Sequence, residues 1–535
     1  MLCQTPGILA LIGLALCFAC ANRLNPSGGP RDEDPPEVIA EGSTQNFQTH
    51  FNQPEIELAL NEWVELNDPI NQVLVSPPLD QRPDIRLKGK SVTFTFHEDE
   101  ILKQDATYTI NYGESIKDLT EGNSLSNYSF VFSTGAYIDS LIVAGQVVDA
   151  FSGEPVENAT VMLYDNLQDS AVFLEKPFYA SRSLKDGTFQ IRNVKLDTFR
   201  VIALIDDNLN YLVDPENESM GFLNDFFIPS PDSSIDVKLE LSKPEGPLFL
   251  DRVDTSDWNK AVITYNRTPF EIDIATRGST DSIYWEGRDQ NLEFWYLPNS
   301  AERQIVYLTD TRQNEIDTVI LRTDVPPASE MISVQAKKIN SGHPEDPFYL
   351  CFSRPLINID SNRIQLRTAS GQTDLKATFQ SDSLSTCLNI QSNWQPDSTY
   401  MITLFPNAIT DLFGLGNDTI QETFPIGGVD RFGNIELEAS GFSKDHSYII
   451  ELLLSSKVER TIYLNRRDQL TAALDKLKPS TYTLRIIEDL NNNRRWDPAD
   501  YSLQRQAERV ITQSIEPLRA NWDVEVIFEW NKDET

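Results

Sequence analysis

The sequence repeats itself, and that repetition limits what it can fold into. Asp105-Ala106-Thr107-Tyr108-Thr109-Ile110, followed by Ile116-Lys117-Asp118-Leu119, returns 292 to 293 residues later. The second version reads Asp397-Ser398-Thr399-Tyr400-Met401-Ile402, then Ile409-Thr410-Asp411-Leu412. A second landmark, Val194 to Asn217, aligns without gaps onto Leu477 to Asp500 at an offset of 283. Two landmarks in the same order at nearly the same spacing imply a duplicated two-domain unit built from modules that can be strung in series.

Within the modules the pattern is that of strands. Ser91-Val92-Thr93-Phe94-Thr95-Phe96, Asn127-Tyr128-Ser129-Phe130-Val131-Phe132 and Arg303-Gln304-Ile305-Val306-Tyr307-Leu308 alternate with period two and are rich in β-branched and aromatic residues. Such runs, bounded by Gly, Pro, Asn and Asp, predict half-buried strands, and many of them in succession predict an all-β chain of sandwiches. The spacing predicts one helix, over Asp468 to Leu477, ended by Pro479.

Charge excludes several functions. The 535 residues carry 45 Lys+Arg against 81 Asp+Glu, a net charge of −36. Phosphate backbones need clustered cations, so nucleic acid is not an expected partner. Attraction to anionic lipid through a basic face is equally disfavoured. At the N-terminus, Ile8 to Ala19 is an apolar stretch too short to span a bilayer, which takes ~20 residues, and of the length of a signal-peptide core. It ends in Cys17-Phe18-Ala19-Cys20, followed by a Pro-, Gly- and charge-rich stretch to Pro36 that reads as a flexible tether.

A small residue directly before a cysteine resembles the bacterial lipobox. That resemblance makes 1–19 a signal peptide, Cys20 the acylated residue and 20–35 the tether; an ordinary secretory signal is the alternative. Acyl chains each contribute roughly 0.8 kcal/mol per buried CH₂, so several hold a body on a membrane durably. Residues 36–135 resemble the SbsA-type bacterial Ig-like domain, whose closing pattern is matched by Tyr108, Ile116, Asp118, Gly122, Asn123 and Phe130. Residues 138–243 resemble the carboxypeptidase-regulatory, transthyretin-like sandwich through Gly145-Gln146-Val147-Val148-Asp149, Gly153-Glu154-Pro155-Val156, Ala159-Thr160-Val161 and Asp186-Gly187-Thr188-Phe189. Residues 330–428 and 430–530 repeat the pair, and 245–325 form a further β domain of unassigned type. The whole is similar to lipoproteins of Bacteroidota that open with an Ig-like domain behind the anchor. Asp32-Glu33-Asp34 resembles the acidic signal that routes some of them to the cell surface.

The duplicated loop Asp-x-Asn-x-Asn-x-x-x-Asp-Pro is the strongest candidate site. Its oxygen-bearing residues are Asp206, Asn208, Asn210 and Asp214 in one copy and Asp489, Asn491, Asn493, Asp497 and Asp500 in the other. Oxygens at alternate positions of a loop can converge on Ca²⁺. The same residues also cap their own backbone in Asx turns, and Tyr211 and Arg494 stand where an EF-hand loop has Gly. Cys351 and Cys387 lie in strands whose Leu350, Phe352, Leu388 and Ile390 face inward, so both sulfurs share the outer face, as a disulfide or as two thiols.

Catalysis finds no footing: His50, His97, His343 and His446 are scattered, and neither a nucleophile elbow nor a phosphate loop occurs. Trp285 and Phe294-Trp295-Tyr296 offer either a sugar-stacking platform or core, with core favoured. The expectation is a non-catalytic, lipid-anchored outer-membrane scaffold that requires no cofactor. Its expected partners are an outer-membrane β-barrel protein or other lipoproteins, and a surface adhesin or glycan binder is the alternative.

Overall fold

In the computed structural model the described residues run from 33 to 530. They exclude 126–127, 215–217, 231–235, 247, 258, 270–271, 277–282, 289, 298–302, 311–314, 323–331, 340–341, 372–375 and 382–385. The leader, Cys20, Asn127 and Asn217 lie outside them. Among the described residues the regular secondary structure is nearly all strand, and no helix is long and apolar enough to cross a membrane.

Strand order sorts the modules into two kinds. In the first, one sheet runs Val38–Ile39, Glu55–Leu60, Ser91–Thr95, Asp84–Lys88 and the other runs Leu74–Ser76, Thr107–Asn111, Ser129–Ser133. Along the chain, sheet membership goes first, first, second, first, first, second, second, which is the constant-type immunoglobulin arrangement. The module of residues 250–322, whose type its sequence leaves open, follows the same order, as does the one beginning at Val334. The modules beginning at Leu141 and at Gly433 share a different order. Membership there goes first, second, second, first, second, second, first, and the duplication is visible strand for strand.

The repeated motifs have physical jobs. Asp105 and Asp397 adopt left-handed φ values of 50° and 52° as they lead into the next strand. Tyr108 and Tyr400 are buried three residues on, and their hydroxyls accept the backbone N–H of Lys103 at 2.8 Å and of Gln395 at 2.6 Å. Each ring stacks on a core phenylalanine, Phe132 or Phe424. Downstream, the Asp118 carboxylate accepts the N–H groups of Thr120, Glu121, Gly122 and Asn123. Burial pushes this carboxyl up, but those four donors outweigh it and hold the pKa at about 2. Asp411 repeats the turn with Phe413 and Leu415 and adds Arg354 at 3.1 Å. Gly145 is required because a Cβ there would lie 1.9 Å from the Val237 carbonyl of the adjoining strand.

The predicted helix is a strand. Gln469–Leu477 pairs antiparallel with Gly433–Ser440 through Leu470↔Ala439, Ala472↔Leu437 and Leu474↔Ile435. Leu470, Leu474 and Leu477 fit a helical stripe, and two alanines favour helix. Leu470 and Leu474 also alternate with Thr471 and Ala473, and pairing with Gly433–Ser440 decides between the two periods, a bulge bringing Leu477 back to the core face. The corresponding segment of the first copy, Thr188–Val194, is likewise a strand.

The chain divides into two compact units. One is Met1–Val148, Pro155–Asp214 and Met220–Leu239; the other is Asp149–Glu154, Pro215–Ser219 and Glu240–Thr535.

Candidate functional site

The paired Asp/Asn loops follow strands Arg200–Leu204 and Tyr482–Asp489 and close in the same way. Asp206 accepts the N–H of Asn210 at 3.1 Å and of Tyr211 at 3.0 Å. Asp489 accepts those of Asn493 at 2.9 Å and Arg494 at 2.8 Å. Asn208 and Asn491 each accept the N–H two residues on, as do Asn210 and Asn493. The intervening residues take left-handed φ: Leu209 and Tyr211 at 56° and 61°, Asn492 and Arg494 at 58° and 63°. These are Asx turns linked in series, and they commit the carboxylate oxygens of Asp206 and Asp489 to backbone donors.

Around this shared frame the loops differ. In the second, Asp497 receives the side-chain amides of Asn491 and Asn493, the latter at 2.7 Å. Asp500 does not join them; it accepts Ser502 Oγ and the Leu503 N–H and shapes the next turn. Glu508, which no motif marks, closes the loop by accepting the N–H of Leu490 at 2.8 Å and of Asp497 at 2.9 Å. Burial, aided by the neighbouring Asp497 and Asp489 charges, raises its pKa to about 7. Arg495 reaches across the same unit to Glu245 in a two-pronged pair at 2.8 and 2.6 Å. Among the described residues no group of three or more His, Cys, Asp or Glu is placed to hold a metal ion.

Arg495, Asn491 and Asp497 line a polar pocket of about 350 Å³ with Glu245 and Arg505, whereas the first loop borders a more apolar cleft of about 420 Å³ inside its own unit. Val73, Val75, Leu79 and Ile85 of the Ig-like module form the apolar wall, and Leu209 and Tyr211 face them from the loop. Arg82, Lys176 and Arg182 supply positive charge, with Asp80 and Asp84 also on the wall. Arg86 pairs with Asp84 at 2.7 Å, and Lys176 donates to the Leu79 carbonyl at 2.7 Å and lies 3.9 Å from Asp80. Arg182 donates to the Asn71 carbonyl. Glu100 accepts the N–H groups of Asp80 and Gln81 at 3.1 and 2.7 Å and so fixes one wall. Arg82 forms no hydrogen bond or ion pair among the described residues and is exposed. Sequence spacing gives no hint of this cleft, because its walls come from segments about a hundred residues apart.

Cys351 and Cys387 face each other across the ladder and are joined in a disulfide. Leu350, Phe352, Leu388 and Ile390 fill the core as their alternation requires, but Cys351 on the opposite face is also buried, only 3% exposed. The Trp285 cluster divides. Phe294, Trp295 and Tyr296 are buried, whereas Trp285, paired with Phe294 across the ladder, is 45% exposed.

Residues 32–134 match the bacterial Ig-like domain family. The module is therefore assigned by its sequence as well as by its strand order, and no enzymatic family is indicated. A search of curated proteins finds no match. Among solved structures, the surface layer protein SbsC, domains 1–6, aligns at 10% identity over 82% of this chain with a TM-score of 0.14, and the chain spans 63% of that structure. The Bacteroides ovatus mixed-linkage glucan utilization locus protein SGBP-B aligns at 10% identity over 72% of this chain and 94% of its own, with a TM-score of 0.17. A biofilm-associated protein domain aligns at 10% identity over 82% and 90%, with a TM-score of 0.15. Superpositions this loose carry no functional argument.

Proposed function

We propose that the chain is a non-catalytic lipoprotein of the cell envelope, anchored through Cys20 in the outer membrane. Its row of sandwiches serves as a scaffold or partner-binding subunit of an outer-membrane protein complex, of the β-barrel assembly, secretion or transport type. The supporting observation is the architecture: an Ig-like module and a second kind of sandwich, each used more than once, with buried cores. Modules of this kind present a large area of rigid β surface, which is what a complex subunit requires. The Asp/Asn loops act in this reading as clasps that shape those surfaces.

The test is affinity purification of the C-terminally tagged chain from gently solubilised outer membranes, with mass spectrometry. Stoichiometric recovery of a β-barrel protein with other lipoproteins supports the reading, and recovery of the chain alone across several detergents counts against it. A second reading, a surface adhesin or glycan binder, is favoured by the exposed Trp285. It predicts carbohydrate binding that Trp285→Ala abolishes.

A further inference from the structure

The cleft in the first unit combines three properties that loop shaping alone does not require. Its apolar wall faces two large side chains, Leu209 and Tyr211, both held in left-handed backbone. That conformation costs a residue with a Cβ roughly 1–2 kcal/mol and normally goes to Gly or Asn. The twin loop shows what the frame accepts elsewhere: Asn492 at one of these positions, and at the other Arg494, which lies over the Tyr463 ring. In the first loop the left-handed residues point their bulk into the cleft.

The second property is local charge. Three cations meet two carboxylates, and one carboxylate, Asp84, is already paired with Arg86. Arg82 is uncommitted, and Arg182 keeps most of its five donors beyond its bond to Asn71. Glu100 and Asp206 stand directly behind the lining, so the cleft is balanced in charge overall, and it is the open donors of Arg82 and Arg182 that favour a ligand with one or two carboxylates over a polyanion, which a chain of charge −36 repels. The third property is preorganisation. Glu100 pins the Asp80–Gln81 wall and Asp206 pins Tyr211, so little ordering remains for a ligand to impose.

We propose that this cleft binds an extended peptide segment presenting an apolar or aromatic side chain beside a carboxylate. The apolar group lies between Val73, Leu79 and Tyr211, and the carboxylate meets Arg82 and Arg182. The cleft volume suits a ligand of that size. This inference rests on the reading of the chain as a partner-binding module, and gives that module a specific pocket.

The test is fluorescence anisotropy on the full chain in mild detergent. The probes are fluorescein-labelled peptides Gly-Leu-Xaa-Glu-Glu-Gly, with Xaa Leu, Phe or Trp, and counterparts carrying Gln or Lys in place of Glu. Saturable, salt-sensitive binding of the Glu probes is expected, at least tenfold weaker for Gln and absent for Lys. Arg82→Glu, an exposed change that leaves the fold alone, weakens binding at least tenfold, as does Tyr211→Ala. Arg494→Ala in the twin loop changes nothing. The proposal is overturned if no Glu probe binds, if Gln probes bind equally well, if Arg82→Glu has no effect, or if octanoate binds at the cleft and no peptide does. Partner recovery from membranes carrying Arg82→Glu separates the two readings. A partner still recovered at full yield leaves the scaffold standing and removes the cleft as its docking site.

Discussion

The two Asp/Asn loops share a backbone and a hydrogen-bond scheme across 283 residues of separation, yet their surroundings have diverged. The second is the more heavily clasped: Asp489, Asn493 and Asp497 are buried, Glu508 closes it from behind, and Arg495 fastens it to Glu245 beside a polar pocket of about 350 Å³. The first turns Leu209 and Tyr211 into a cleft. A duplicated turn thus carries a denser clasp in one copy and faces an apolar cleft in the other. The difference lies in the side chains at its left-handed positions and in what stands opposite, not in the Asp and Asn residues that fix its shape.

The largest test of this contrast removes the frame itself. Asp489→Ala leaves the Arg494 N–H without its acceptor and the Asn493 N–H with Asn491 alone, and is expected to cost about 3 kcal/mol in urea unfolding of the full chain. Asp206→Ala, where the same bonds are less buried, is expected to cost about 2 kcal/mol. Equal losses would deny that the second loop is the more heavily clasped.

The pH dependence sharpens the comparison next. Glu508 holds its proton up to about pH 7 in the folded chain, whereas an ordinary glutamate releases it near 4.5. Between those values the folded state binds more protons, so this group's contribution makes stability fall as pH rises from about 4.5 to 7. Asp118 has the opposite sign: its depressed pKa gives stability that is lost as pH falls from 3.8 towards about 2. Urea midpoints from pH 5 to 8 should decline in the wild type and flatten in Glu508→Ala.

Exchanging left-handed residues has a smaller effect. Asn492→Leu is expected to cost about 1 kcal/mol, and Leu209→Asn to return a similar amount while weakening peptide binding. Calorimetric or fluorescence melts report both. Added calcium should matter least. With the oxygens of Asp206 and Asp489 committed to backbone donors, 1 mM Ca²⁺ is expected to shift the melting temperature by less than about 1 °C. A rise of several degrees, abolished by Asp497→Ala, would make the second loop a cation site.

Much of the fold was legible because a sandwich strand has one wet and one dry face, and period two records this directly, as in Ser91–Thr95. The duplication was legible because Asp105, Tyr108 and Asp118 each satisfy a particular backbone need that their counterparts meet again. Gln469–Leu477 was misread because Leu470 and Leu474 fit both periods, while Leu477 fits only the helical one and reaches the core through a bulge at Lys476. The type of the 250–322 module stayed hidden because strand order is a matter of pairing between distant segments, which no local pattern encodes. Glu508 and the Arg82–Arg182 wall were invisible for the same reason: each becomes meaningful only when remote segments meet.

If the chain is anchored through Cys20 as proposed, the Cys351–Cys387 bond has a mechanical consequence. Pulled chains lengthen when a sandwich yields, and each freed residue adds about 3.5 Å of contour. The bond encloses a sequence separation of 36 residues, so it withholds roughly 120 Å of extension from the fourth module. Under tension that module would give up far less length than the Ig-like module of residues 36–135, and about as little as the shorter 250–322 module. Reduction of this one bond would restore the missing length, visible as a longer step in single-molecule stretching.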